Sequence, residues 1–188
     1  MFDRQPSYPD TGTITVRVRE SSARPWTLSL RVPDWAEGAT LTHRTADGNV
    51  RTTAVSGRPA QLTAAFEAGD LVQLALPMTA GFLRADPRVD AVRGCVAVQR
   101  GPLVYCAELP ADADADLARL VVDTETAPHY ADGRIVVSAG WRQVPDEPWP
   151  YGGDDPTAPS AGERFTLIPY HDWGHAGLCT MRVWLPEV

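Results

Sequence analysis

Short stretches in which apolar and polar residues alternate recur along this chain roughly every 8–12 residues. In residues 12–20, for example, Ile14, Val16 and Val18 are each separated by one polar residue. Successive side chains of a β-strand point to opposite faces, so this period of two predicts a strand with one buried and one solvated face. The same period occurs in residues 26–32. The repetition predicts an all-β fold with antiparallel strands.

Turn-forming residues separate these stretches. Asp47-Gly48 predicts a tight hairpin turn, and the turn at residues 67–70 precedes a predicted strand at 71–76. The 17 prolines and 15 glycines fit many short strands joined by turns and disfavour long helices. The strand spacing is typical of sandwiches and barrels. We predict an antiparallel β-sandwich, jelly-roll-like, with two packed lobes.

The strand patterns are interrupted at residues 80–90, where Gly81 and Pro87 lie among polar residues. Such a composition predicts a domain boundary. We assign the first lobe to residues 1–84 and the second to residues 85–188. Within the second lobe, residues 144–162 are rich in Pro, Gly and Asp and predict a long surface loop.

Residues 93–109 contain the densest local β pattern, RGCVAVQRGPLVYCAEL. Pro102 has no backbone N–H, so the second half is predicted to start at a sheet edge or after a bulge. Cys95 and Cys106 are equidistant from the Arg100-Gly101 centre, and a two-residue hairpin would place them opposite each other. A cross-strand disulfide and a pair of reduced, buried thiols are both compatible with this spacing, and the thiols are favoured.

Charge and hydropathy disfavour several partners. The net charge of −7 disfavours nucleic acid and anionic membrane surfaces. No apolar run approaches the roughly 20 residues that span a bilayer. The first ten residues lack a basic segment followed by an apolar one, so no signal peptide is predicted and we expect a cytoplasmic location.

His171, His175 and Cys179 are spaced four residues apart, which would suit a zinc site on a helix. Gly174 and Gly177 interrupt that segment, and a strand pattern follows it. On a strand–turn–strand path these three side chains would not converge. We therefore predict surface histidines and a core cysteine, and no metal site.

No residue pattern in the chain predicts a catalytic or cofactor-binding site. Its acidic residues lie mostly in turns, and the nucleophile elbow, the phosphate loop and the dinucleotide fingerprint are all absent from the sequence. Aromatic rings can form platforms for sugars, and three tryptophans near loop segments are candidates for this role. The predicted sugar contacts are Trp141, Trp149 and Trp173.

Several phrases occur in an order that matches one enzyme family. They are YPDTG at 8–12, LSLRVPDW at 28–35, AGDLVQLALPM at 68–78, VAVQRGPLVYC at 96–106, IPYHDW at 168–173 and MRVWL at 181–185. Together they closely resemble the C-terminal region of glycoside hydrolase family 127, the β-L-arabinofuranosidase family. The family's end motif continues with an Asn-Arg pair, where this chain has His175-Ala176.

The resemblance implies an N-terminal (α/α)6 barrel followed by β-sandwich domains. It also implies that a zinc-bound cysteine nucleophile, further Cys and Glu ligands and a Glu general acid all belong to that barrel. The barrel's Cys-Cys-Pro-Pro motif is absent here, and Cys95, Cys106 and Cys179 lie in no matching motif. We therefore expect zinc in the missing barrel and no cofactor in this chain, which would be inactive alone.

The predicted role is a non-catalytic C-terminal region that supports the missing barrel, with the first lobe only partly present. Missing strands would leave an unpaired sheet edge, which favours a homodimer. Two alternatives stay open. A carbohydrate-binding module would show an exposed, coplanar pair among Trp141, Trp149 and Trp173. A free-standing hydrolase would need a buried carboxylate pair or bound zinc.

Overall fold

The computed structural model describes residues 2–4, 8–22, 24–55, 59–142 and 162–188. These residues form sixteen strands and three single turns of 3₁₀-helix, and none of these helical turns is long enough to cross a membrane. The strands are β1 Phe2–Arg4, β2 Thr13–Val18, β3 Trp26–Leu30, β4 Thr40–Arg44, β5 Val50–Ala54, β6 Ala60–Ala64, β7 Leu71–Ala75, β8 Ala80–Arg84, β9 Cys95–Arg100, β10 Leu103–Pro110, β11 Leu120–Val122, β12 His129–Ala131, β13 Arg134–Trp141, β14 Glu163–Pro169, β15 Cys179–Arg182 and β16 Leu185–Pro186. The 3₁₀ turns are Asp90–Val92, Leu117–Arg119 and Tyr170–Asp172. The paired strands run antiparallel, which confirms the predicted all-β class.

The chain divides into two compact units, Met1–Thr79 and Ala80–Val188. The division falls before β8, whereas the sequence placed it after residue 84. β8 pairs along its whole length with β9, from Ala80 opposite Arg100 to Arg84 opposite Val96, and so belongs to the second unit. Gly81, one of the two residues that suggested a linker, lies within this strand, whereas Pro87 follows it.

The first unit contains a five-stranded sheet, in the order β1-β2-β7-β4-β5, and a two-stranded sheet of β3 and β6. The inward faces of both sheets contribute to one core, which contains Val72, Leu74 and Ala60 and is lined by Trp26 and Leu62. The period of two in the sequence accounts for this arrangement, since every second residue of each strand faces the opposite sheet. This unit is a sandwich of antiparallel sheets.

Two glycines set the local geometry of the first unit. Gly48 has a φ of +95°, which the predicted Asp47-Gly48 hairpin turn requires, and that turn joins β4 to β5. At Gly12 a side chain would overlap the carbonyl oxygen of Leu76. The backbone N–H of Leu76 donates to the carbonyl oxygen of Gly12 at 2.7 Å. Only a residue without Cβ allows the start of β2 to approach the end of β7 so closely.

The second unit is built on one long sheet, in the order β11-β13-β14-β10-β9-β16, with β12, β15 and β8 pairing at its sides. A parallel bridge between Val122 and Glu187 joins the two ends of that order, so the sheet curls around its own core. Tyr105, Ile135 and Leu167 are among the fully buried side chains of that core. The jelly-roll-like connectivity stays a prediction.

The hairpin of β9 and β10 turns at Gly101-Pro102, one residue later than the sequence suggested. Tyr105 pairs with Val98, so Cys95 and Cys106 do not lie opposite each other, and all three cysteines of the chain are free. β10 lies between β9 and β14, in the interior of the sheet. Pairing with β14 begins only at Tyr105, so Leu103 and Val104 pair with β9 alone, and Pro102 lies in the turn, where no ladder N–H is needed.

Most of the predicted loop at residues 144–162 lies outside the described residues, and so does Trp149.

Candidate functional site

A surface-exposed aromatic pair lies in the turn that follows β14. The two rings belong to Tyr170 and Trp173, with centroids 6.3 Å apart and planes inclined by 22°. The 3₁₀ turn begins after Pro169, and residues three apart in such a turn project on the same side. Tyr170 and Trp173 remain 48% and 41% exposed, and Leu178, in the same connection, is 90% exposed. We call Tyr170, Trp173 and Leu178 the aromatic patch.

The patch is anchored to strand β10. The backbone N–H of Gly174 donates to Glu108 Oε1 at 3.2 Å, and Cys179, directly after the patch, pairs with Pro110. The Cys179 thiol donates to the Glu108 carboxylate, and this hydrogen bond raises the pKa of Cys179. Glu108 therefore holds both the middle and the end of the connection that carries the patch.

Of the three tryptophans predicted to contact sugar, the structure describes two. Trp141 lies in β13 and is partly buried edge-on to Phe165, with ring centroids 6.1 Å apart and planes at 77°. Trp173 is exposed, and its ring partner is Tyr170, which the sequence reasoning did not select. The spacing of three residues between Tyr170 and Trp173 was the available signal, but it becomes informative only once a 3₁₀ turn is known.

His171 lies in the same turn, with Nε2 3.4 Å from Asp172 Oδ1, and both side chains are exposed. Within the residues that the structure describes, no three His, Cys, Asp or Glu side chains are grouped so as to hold a metal ion. His171, His175 and Cys179 are accordingly not brought together as a ligand set.

Cys106 is completely buried and packs within the second unit. Burial, with smaller contributions from the charges of Glu108 and Cys179, raises the pKa of the Cys106 thiol to about 11. Zinc coordination and nucleophilic attack both require the thiolate. Cys106 is therefore a protonated thiol at neutral pH, and it packs as a small apolar residue.

Asp70 is a buried charged side chain of the first unit, with 1% of its surface exposed. Its carboxylate accepts hydrogen bonds from His43 Nε2 at 3.0 Å, from the Ala46 N–H at 2.9 Å and from the Glu67 N–H at 3.2 Å. Burial alone would raise the pKa of Asp70, but these three hydrogen bonds outweigh burial and lower it. A carboxylate held ionised by three donors ties strands and turns together and is poorly suited to proton transfer.

One cavity in the first unit has a volume of about 440 Å³ and lies between β4, β5 and β6. Leu41, Val55 and Leu62 form its apolar wall, and His43 and Arg51 are its described ionisable groups. Glycoside hydrolysis by the usual route needs two carboxyl groups, which this described lining does not provide.

Family models match nearly the whole chain. Residues 1–78 match the middle domain of the GH127 β-L-arabinofuranosidases, and residues 80–186 match the C-terminal domain of glycoside hydrolase family 127. The boundary between the two matches coincides with the division between the two units.

Individual relatives agree with these matches. The chain is 33% identical to a non-reducing end β-L-arabinofuranosidase from Bifidobacterium longum subsp. longum, over 92% of this chain but 27% of that protein. A crystal structure of a GH127 β-L-arabinofuranosidase from Geobacillus stearothermophilus T6 superposes with a TM-score of 0.78 at 30% identity, covering 100% of this chain and 30% of that one. A structure described as a glycoside hydrolase has the same fold, with a TM-score of 0.79 at 24% identity, and this chain covers 32% of it. The chain therefore spans about 30% of the length of the relatives that it matches.

Proposed function

Because the chain belongs to glycoside hydrolase family 127, whose middle and C-terminal domains it comprises, we propose that it is the non-catalytic region of a longer β-L-arabinofuranosidase-like enzyme. Its role is to support the catalytic domain of that enzyme. The observation that carries the proposal is the match itself: two accessory domains fill the chain, while its relatives are more than three times as long.

The arrangement of ionisable groups supports this division of labour. Asp70 is saturated by structural donors, and the buried Cys106 is held as a thiol. Zinc, the nucleophile and the general acid would all be supplied by the catalytic domain. The chain consists instead of two folded units, each with its own hydrophobic core.

The first test is to recover the coding sequence upstream of this chain and to express the encoded catalytic domain separately. Size-exclusion chromatography with light scattering should show a one-to-one complex when the two proteins are mixed. The chain alone should not hydrolyse an aryl β-L-arabinofuranoside, with or without added zinc. Hydrolysis that scales with the concentration of the chain, or two proteins that elute separately, would overturn the proposal.

The same chromatography reports on self-association of the chain. β5 (Val50–Ala54) lies at the end of the five-stranded sheet and is exposed along its length. Exposed edge strands are templates for pairing with another chain. A light-scattering mass of twice the monomer would support a homodimer, and a monomer mass at all concentrations would exclude it.

A second candidate function is carbohydrate binding by the chain itself. The observation that favours it is the exposed, nearly parallel pair of Tyr170 and Trp173, since aromatic faces with polar neighbours stack on sugars. Titration calorimetry with a β-L-arabinofuranosyl oligosaccharide should then show saturable binding that Trp173→Ala abolishes. No heat of binding at millimolar sugar would remove this candidate.

A further inference from the structure

We propose that the aromatic patch of Tyr170, Trp173 and Leu178 is the surface on which the catalytic domain of the parent enzyme docks. The inference rests on the proposed function and deepens it, because it assigns the contact with the catalytic domain to one face of the second unit.

All three residues of the patch are exposed to solvent. Leu178 is 90% exposed, and Tyr170 and Trp173 each keep more than two fifths of their surface in water. Contiguous apolar groups on the surface of a soluble protein mark interaction sites, and the central residues of interfaces are enriched in Tyr and Trp. Tyr170 and Trp173 form one such contiguous pair, and the exposed Leu178 follows within the same nine-residue connection.

The patch is also preorganised. Glu108 accepts a hydrogen bond from the Gly174 N–H, and Cys179 is held in the ladder with β10. The rings of Tyr170 and Trp173 already lie against each other, so less side-chain entropy is lost on binding. A surface fixed in this way suits a permanent contact within one protein.

The length of the relatives indicates what covers the patch. The relatives extend well beyond this region, which is only 27–32% of their length, so a large domain accompanies these two units in each of them. A sugar would use the two ring faces and neighbouring hydroxyl partners, but it has no use for a leucine as exposed as Leu178. A protein surface accounts for all three residues.

Hydrogen exchange on the unmodified chain provides a test that needs no variant. Backbone amides in peptides covering residues 170–180 should exchange more slowly when the separately expressed catalytic domain is added. Exchange in peptides covering β12 (His129–Ala131) should not change. If the complex forms and residues 170–180 exchange at the same rate, the patch is not the docking surface, although the proposed function stands.

A substitution tests the same contact energetically. Trp173→Ala should weaken the complex about tenfold or more, as expected for a central aromatic residue of an interface. Tyr130→Ala is the matched control, because Tyr130 is also a partly exposed ring of the second unit but packs on Arg100 and belongs to a different strand, β12. It should leave the affinity within about twofold. The melting temperatures of both variants establish that they are folded.

Each remaining outcome decides the matter. Equal affinities for wild type and Trp173→Ala would overturn the inference and leave the proposed function intact. Absence of any complex would overturn both. Loss of a dimer in Trp173→Ala, or its loss of arabinofuranosyl oligosaccharide binding without any effect on the catalytic-domain complex, would reassign the patch to a second copy of the chain or to sugar.

Discussion

Replacing Asp70 by Asn should destabilise the first unit strongly, although the two side chains have nearly the same shape. Asp70 Oδ1 accepts from the Ala46 N–H, and Oδ2 accepts from His43 and from the Glu67 N–H. An amide has one oxygen and one NH₂ group, so in either orientation the NH₂ group faces a backbone N–H that loses its acceptor.

The magnitude follows from these contacts. A buried donor left without a partner costs about 1–3 kcal/mol, and hydrogen bonds to a charged acceptor contribute about 1 kcal/mol more than neutral ones. The expected loss is about 2–4 kcal/mol in the free energy of unfolding. For a unit of this size that corresponds to a fall of at least about 8 °C in melting temperature, measured by differential scanning calorimetry.

Glu67→Gln is the matched control for Asp70→Asn. It removes one negative charge from the same turn, but Glu67 is exposed. Surface substitutions of this kind usually change stability by less than about 0.5 kcal/mol. If Asp70→Asn melts within 2 °C of the control, the hydrogen-bonded carboxylate does not stabilise the unit and the reasoning is refuted.

The pH dependence of stability gives an independent check on Asp70. Because its pKa is lower in the folded state than its ordinary value of 3.8, folding favours the ionised form. This stabilisation is fully present above the ordinary value and is lost as the pH falls through the lower, folded-state value. The difference in unfolding free energy between wild type and Asp70→Asn should therefore be constant above about pH 5 and shrink below about pH 4.

Three further predictions concern packing. Gly12→Ala should destabilise the chain by more than about 2 kcal/mol, because the new Cβ would overlap the backbone of Leu76. Gly81→Ala, where a Cβ meets nothing within 4 Å, should have little effect. Similar denaturation midpoints for the two variants would contradict the close contact between Gly12 and Leu76. Leu167→Ala should cost about 2–5 kcal/mol because Leu167 is completely buried, and a loss below 1 kcal/mol in chemical denaturation would count against that core. Cys106 should resist iodoacetamide at pH 8 while Cys95, which is partly exposed, is alkylated; mass spectrometry showing equal labelling would refute the burial of Cys106.

The strands and the fold class could be predicted from the sequence because a period of two is a local property. Val72 and Leu74 show this well, since they lie two residues apart in the strand predicted at 71–76 and both are buried. The division between the units was harder to place. In β8 the two large apolar residues, Phe82 and Leu83, are adjacent and do not alternate with polar ones. It is a strand because it pairs with β9, which lies more than ten residues further along the chain.

The candidate site depended on information that the sequence does not carry locally. The burial of Asp70 requires donors from residues 43 and 46, more than twenty positions away. The sequence around Asp70, in the turn at residues 67–70, does not indicate that its carboxylate is buried. The prediction that Cys95 and Cys106 lie opposite each other was wrong because the turn between β9 and β10 is centred one residue later than predicted. The turn geometry sets the strand register. Tyr170 was missed because its partnership with Trp173 depends on the 3₁₀ turn.

The central claim is that this chain supports the catalytic domain of a family 127 enzyme. It is tested most directly by the half-life of that domain's activity on an aryl β-L-arabinofuranoside during incubation at elevated temperature. With an equimolar amount of the chain present, the half-life should increase severalfold, and Trp173→Ala should remove most of the increase while Tyr130→Ala retains it. A half-life that is the same with and without the chain would contradict the account.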